Sequence, residues 1–291
     1  MVAITDRRIL ADGKDTPIFV FGSRAESIPQ ALSLGWRGFD TAQEYGNEQA
    51  IGQAIRDTPA YKDGSITRPE IYVTSKLAGQ SFRPQENLVE SIKESVDKIG
   101  LEYIDLFIIH KPYGTPEGRK TQWLALVEAK KQGLVKSIGV SSFGPKHLEE
   151  IRNYSDEFPV VNQVEITCFN QEPALQAYCK KNNIAIQTYS PLARNEKSED
   201  PTLNEVAKAV GRTWNQVMLR WSIQTGLYPV CASRRSQSNI ENSQVFDFEL
   251  SEDQMEKLNS LESGFRVCPE NPLDQDDQPP YHWDGVKVTL L

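Results

Sequence analysis

Nowhere in the 291 residues is there a run of about 18 apolar side chains, so no segment reads as a membrane-spanning helix. The opening MVAITDRRILADGKD has charges with no apolar stretch behind them, so no secretory signal is legible there. Cysteine is scarce: Cys168, Cys179, Cys231 and Cys268 lie far apart, without CxxC or any other metal-ligand spacing. They read as reduced thiols, and no metal is expected. Neither a GxGxxG after a strand nor a GxxxxGK[ST] loop occurs, which removes the two commonest phosphate-cradling motifs. Positive charge is outweighed throughout: the net charge is −8 and no tail concentrates it, a balance that disfavours a nucleic-acid partner. These absences predict a soluble cytoplasmic protein with no membrane partner. Nothing marks an interface stripe, so a monomer is the default expectation.

A linker is missing too, and residues 1–291 read as a single domain. Hydrophobic residues at 38% and charged residues at 25% suit one sizeable core. Short apolar runs alternate with segments of helical period. The runs are 17–22, 38–41, 71–76, 104–110, 135–142, 160–167, 185–192 and 227–233, several of them continuous Val/Ile/Leu/Phe stretches typical of strands buried on both faces. Helical patterns fit 47–57, 84–100, 120–133, 145–153, 171–182, 202–210, 213–226 and 236–246. Gly100, Gly133 and Gly226 act as stops, and Ser251 opens one more helix with a capping box. Eight strand-then-helix units in about 250 residues point to a closed (β/α)₈ barrel, although an open doubly wound sheet produces the same alternation. Residues 1–16, with a turn at Asp12-Gly13, form a short N-terminal cap, and 263–291 an aperiodic tail.

In a parallel barrel, reactive groups gather where the strands end. The second strand ends in Asp40, with Tyr45 a few residues on; the third ends in Lys76 and the fourth in His110. A phenol is a poor acid near neutral pH. An ammonium about 4 Å away is worth up to ~4 kcal/mol, which is expected to bring Tyr45 close to neutrality. Asp40 would hold Lys76 charged, and His110 would hydrogen-bond a substrate carbonyl. That is general-acid chemistry, the proton counterpart of a hydride transfer.

GFDTAQEYGNE (38–48), TSK (74–76) and IIHKP (108–112) occur here in that order. They are followed by KSIGVSSF (136–143), NQVE (162–165), TYSPL (188–192) and SQSNIENSQVFDFELS (236–251). From about residue 17 to 262 the chain resembles the aldo-keto reductase superfamily. The resemblance implies a (β/α)₈ barrel that reduces aldehydes or ketones, with Asp40, Tyr45, Lys76 and His110 as the catalytic tetrad. It implies NADPH as cofactor, NADH being possible. Tyr189 would stack on the nicotinamide, and Ser141, Ser142 and Gln163 would grip its carboxamide. Ser190 and Leu192 would lie along the pyrophosphate, and Ser233, Glu241 and Asn242 at the adenosine end. Two other functions stay open: a cofactor-binding regulatory or structural barrel with little turnover, and a sugar or polyol dehydrogenase working oxidatively.

The chain also departs from the family pattern. Ser142 stands where an Asn is usual, and Lys111 where a Trp usually walls the substrate pocket. The two basic residues that normally clamp the cofactor 2′-phosphate read Ala232 and Ser238, and Arg234 and Arg235 beside the gap are expected to take over. The 111–118 connection is short, which implies an open pocket. Tyr281 and Trp283 are candidate pocket walls or plain surface aromatics.

Overall fold

The computed structural model describes residues 2–22, 24–78, 87–268 and 273. Strands β1 (Arg7–Ile9) and β2 (Asp15–Pro17) form an antiparallel hairpin around the expected turn at Asp12-Gly13. The barrel follows as β3 (Val20–Phe21), β4 (Gly38–Asp40), β5 (Tyr72–Leu77) and β6 (Ile104–Ile109), then β7 (Val135–Ser141), β8 (Val161–Val164), β9 (Ala185–Thr188) and β10 (Tyr228–Cys231). All eight are parallel, and β10 pairs with both β9 and β3, which closes the ring and excludes the open sheet.

Around it run α1 (Ile28–Ser33), α2 (Glu48–Arg56), α3 (Pro59–Lys62), α4 (Leu88–Ile99), α5 (Pro116–Lys131) and α6 (Pro145–Arg152). The ring is completed by α7 (Pro173–Lys181), α8 (Pro201–Val210), α9 (Trp214–Gln224), α10 (Ser236–Ser243) and α11 (Glu252–Asn259). Among the described residues no helix is long and apolar enough to cross a membrane.

Period-2 alternation decides which side chains reach the barrel interior. On β5 and β6, Val73, Leu77, Phe107 and Ile109 pack outward into the main core under the helices, while Tyr72, Leu106 and Ile108 join Leu10, Val160 and Val161 in a separate inner cluster. Leu10 comes from the hairpin, so the N-terminal cap plugs the lower end of the barrel. The same alternation carries Lys76 and His110 inward at the upper end.

Several boundaries moved. The first barrel strand is only two residues long, because Asp15–Pro17 pairs with the hairpin and Pro17 has no N–H to give. Helix α5 starts ahead of the expected 120: Thr115 caps it, its Oγ accepting from Gly118 N at 3.1 Å, with Pro116 in the first turn. Gly100 ends α4 at φ 64°, as expected. Gly52 lets α2 lie against the end of α4, since a Cβ there would sit 1.8 Å from the Ile99 carbonyl oxygen. Arg56, on the same helix, donates to the Ile99 and Gly100 carbonyls and so caps α4. Helix α1 has no counterpart among the expected segments, because six residues are too few for a periodic signal.

All four cysteines are buried and none is in a disulfide; burial pushes Cys168, Cys179 and Cys231 up to about 12, which leaves those three thiols inert.

Candidate active site

The DTAQEYGNE segment works as a set of brackets around one tyrosine. Gln43 opens a 3₁₀ turn, Gln43–Tyr45, and its amide ties that turn to two elements. Nε2 donates to the Ser91 and Ser95 hydroxyls on α4, both at 2.9 Å, and Oε1 accepts from Ala78 N just past β5 at 2.9 Å. Gly46 ends the turn in the left-handed region at φ 65°. Thr41 Oγ1 donates to Asn47 Oδ1 at 2.6 Å, and the buried Glu48 accepts from Ser75 Oγ at 2.6 Å. Tyr45 is thereby pinned from both sides.

Asp40 and Lys76 meet inside the barrel mouth, 4% and 1% exposed. Lys76 Nζ donates to Asp40 Oδ1 and, at 2.8 Å, to the Thr41 carbonyl. The other carboxylate oxygen accepts from Gln163 Nε2 at 2.9 Å. Lys76 Nζ lies 5.0 Å from the centre of the Tyr45 ring, and the Tyr45 hydroxyl lies 3.5 Å from His110 Nε2. Asp40, Tyr45, Lys76 and His110 therefore converge on one point. The Tyr72–Lys76 spacing, Tyr-x-x-x-Lys, would pair two side chains on a helix. On a strand it instead leaves Tyr72 in the inner cluster at the far end of the barrel.

The expectation that Lys76 brings Tyr45 close to neutrality is corrected here. Burial pushes the Tyr45 phenol above its ordinary value; Lys76 is the largest opposing influence, but Asp40 and Glu44 add to the rise. Although the residue as a whole is 40% exposed, its hydroxyl end sits among His110 and Lys76. Asp40 offsets part of the Lys76 influence, and burial outweighs what remains. Burial works against the ammonium, yet Asp40 and Tyr45 more than offset this and it titrates above its usual range. For His110 burial lowers the imidazole, with Glu44 the main opposing group.

Of the expected cofactor positions, Ser141, Ser142, Gln163 and Tyr189 cluster beside the tetrad. Ser141 ends β7 and Gln163 lies opposite it on β8. Both N–H groups of the Gln163 amide are engaged, by Asp40 and by Gln187 Oε1 at 3.0 Å, which leaves its carbonyl to meet a ligand donor. Ser142 has a left-handed backbone at φ 60°, and its Oγ is 3.4 Å from the Tyr189 hydroxyl. That backbone explains why an Asn, which tolerates the region, is usual there. Ser142, Val164, Glu165, Tyr189, Arg266 and Leu273 line a small recess at this edge.

Ser190 and Leu192 lie in the loop after β9; Ser190, Ala193, Arg194 and Asn195 all have positive φ, between 46° and 70°. Strain of this kind concentrates where backbone groups are held for a ligand. Ser233 is fixed by Asn239, whose side chain meets both its N–H, at 2.9 Å, and its carbonyl, at 3.1 Å. Arg234 and Arg235 are exposed beside it. Glu241 is half-buried, and Gln237 donates to it at 3.3 Å. Asn242 turns inward: its Oδ1 accepts from Asn215 at 2.7 Å and its Nδ2 donates to Cys231 Sγ at 3.4 Å, so it braces β10 against α9.

Three contributors were not anticipated. Glu44, next to Tyr45, approaches His110 Nδ1 at 3.1 Å. Arg24, after β3, lies within the field of Arg234: burial and then the Arg234 charge lower its guanidinium from its ordinary value. Arg119, almost fully buried, shapes the short connection after His110, donating to the carbonyls of Pro112 at 3.2 Å and Gly114 at 2.8 Å while holding Glu150 with two further bonds at 2.8 Å. Only the adjacency of Glu44 to Tyr45 was visible in the sequence. Lys111 Nζ sits 5.5 Å from the Tyr113 ring. Tyr281 and Trp283 lie outside the described residues.

Comparison with known proteins agrees with this geometry. The chain is 39% identical over 251 residues to an aldo-keto reductase of Mycolicibacterium smegmatis, covering 85% of this chain and 86% of that one. It is 32% identical over 278 residues to the glyoxal reductase of Bacillus subtilis, covering 93% and 97%. Among solved structures, an aldo-keto reductase from a Medee basin deep-sea metagenome library superimposes with a TM-score of 0.86 at 31% identity, covering 94% of this chain and all of that one. Residues 19–263 match the model of the aldo/keto reductase family, and the chain belongs to that family.

Proposed function

We propose that the protein reduces aldehydes or ketones to alcohols with NADPH, NADH being a weaker alternative, and that Tyr45 delivers the proton. The observation that carries this reading is the buried Asp40–Lys76 pair set against the hydroxyl end of Tyr45, with His110 Nε2 3.5 Å from that hydroxyl. The glyoxal reductase among the relatives supports a carbonyl substrate. When bound, the nicotinamide would supply the hydride. The residues present suit it: the Gln163 carbonyl and the Ser141 and Ser142 hydroxyls for the carboxamide, the Tyr189 ring for stacking, and the positive-φ loop from Ser190 past Leu192 for phosphate. Tyr45 is protonated at neutral pH, which is the form that can give a proton to the substrate oxygen. Asp40 keeps Lys76 charged and in place, and the ammonium stabilises the phenolate left behind.

Turnover of NADPH and NADH on a panel of aldehydes, α-keto esters and sugars, with NADP+ and NAD+ on polyols alongside, tests the reading. Activity on carbonyls supports it. Tight cofactor binding with no turnover on any substrate overturns it in favour of a regulatory barrel, and activity confined to polyol oxidation in favour of a dehydrogenase.

Cofactor preference would rest on Arg234 and Arg235, and the crowding of Arg24 against Arg234 supports an anion site there. Each charge-assisted hydrogen bond removed costs about 1.5–3 kcal/mol. Arg234→Ala or Arg235→Ala is therefore expected to raise the KM for NADPH by about tenfold or more and to leave that for NADH alone. An unchanged preference in both single variants and the double variant removes the clamp from the proposal.

A further inference from the structure

His110 is flanked on both ring nitrogens. Nε2 faces the Tyr45 hydroxyl at 3.5 Å, and Nδ1 faces the Glu44 carboxylate at 3.1 Å. His110 is 8% exposed and the Glu44 side chain 15%, so water does little to screen the pair. A carboxylate only accepts hydrogen bonds, so it favours the ring form with its proton on Nδ1. That form leaves a lone pair on Nε2, where the Tyr45 O–H can donate. At 3.1 Å Nδ1 is close to the carboxylate but outside hydrogen-bond geometry, as catalytic contacts often are before substrate tightens a site.

We propose that Glu44 is a positioning residue for His110: its carboxylate holds the ring proton on Nδ1 and supplies the countercharge when Nε2 takes a second proton from water and returns it to Tyr45 Oη. The inference rests on the proposed role of Tyr45 and changes the one expected of His110. A neutral ring protonated on Nδ1 has no Nε2 hydrogen to give a substrate carbonyl until the second proton arrives. The protons balance: the phenol gives its proton to the substrate oxygen, Nε2 reprotonates the phenolate, and one solvent proton ends on the alcohol. The charged and titratable groups facing His110 are Glu44 and Tyr45 from the 3₁₀ turn, Lys76 from β5 and Lys111 beside it. Both lysines disfavour a charged ring, and Glu44 is the group that opposes them.

The test is ¹⁵N NMR of the imidazole rings in the full chain, which has three histidines, with His110→Asn used to assign the signals. The wild type is expected to carry the neutral-ring proton on Nδ1. In Glu44→Gln that preference is lost, the His110 titration midpoint moves to lower pH, and kcat for aldehyde reduction near neutral pH falls about tenfold, the cost of a loosened proton relay. A wild-type proton on Nε2, or a midpoint unmoved by Glu44→Gln, overturns the assignment. Because the ring signals are read without turnover, an enzyme inactive on every carbonyl would count against the proposed function and leave the Glu44 result to be judged on its own.

Discussion

Tyr45→Phe is expected to lower kcat for carbonyl reduction by about 10³-fold, the middle of the range for a positioned general acid, with cofactor affinity kept within a factor of about two. The ring stays where it is, because the turn that carries it is held by Gln43, Thr41 and Asn47 rather than by the phenol. The phenol hydroxyl stands 3.5 Å from His110 Nε2, too far for its removal to change stability much. An effect confined to kcat therefore isolates the proton. The direction of the pH dependence follows from the raised phenol. Tyr45 remains protonated through the neutral range, so its own ionisation does not reduce the forward rate there. Alcohol oxidation needs the phenolate and is expected to climb as pH rises. Steady-state rates of the two directions across pH, with cofactor binding followed by fluorescence, check both statements. A Phe variant retaining a tenth or more of the wild-type kcat would transfer the proton to another group, with His110 the next in line.

What was legible in the sequence is what a strand's period of two transmits. Asp40, Lys76 and His110 lie at or within one residue of the ends of consecutive strands, and the alternation that sends Leu106 and Ile108 inward sends His110 inward as well. The eight strands, the glycine stop at Gly100 and the capping box at Ser251 are local signals that the barrel did not override. What escaped were meetings between residues remote in the chain or set by loop geometry. Arg24 and Arg234 come together because β3 and β10 are neighbours only once the barrel closes. Arg119 reaches back across the short connection to Pro112 and Gly114, and no spacing rule announces that. The effect of Lys76 on Tyr45 is hidden from the sequence for a similar reason. Residue types alone suggest a single ion pair, whereas in the folded chain burial opposes the phenolate most, Asp40 offsets part of the Lys76 charge, and Glu44 adds a second negative charge.

At the opposite end of the barrel, Arg68→Ala is expected to cost about 3–5 kcal/mol of stability, the usual penalty for removing one partner of a buried charged pair. Arg68 is 8% exposed and uses its guanidinium in four directions. Nε donates to the Leu101 carbonyl at 2.6 Å, Nη1 to that of Ile71 at 2.7 Å, and Nη2 to that of Tyr103 at 2.7 Å and to Asp105 Oδ2 at 2.8 Å. The same Asp105 oxygen accepts from Val73 N at 2.8 Å, so the pair joins the feet of β5 and β6. Truncation leaves three carbonyls short of a donor and Asp105 without its countercharge. The sign of the pH dependence makes the test specific. Burial already raises Asp105 above its ordinary value, and Arg68 is the largest influence opposing that rise. A carboxyl raised in the folded state detracts from stability once the pH climbs past its unfolded value, and removing Arg68 raises it further. The gap between wild type and variant should therefore be widest near neutral pH and narrow toward acid, where Asp105 is protonated in both. Asp105→Asn in the Arg68→Ala background keeps an acceptor for Val73 N, removes the buried charge, and is expected to regain part of the stability. Denaturant unfolding of wild type, the two single variants and the double variant at neutral and acidic pH decides the matter, and a gap independent of pH would reduce Arg68 to a donor of backbone hydrogen bonds alone.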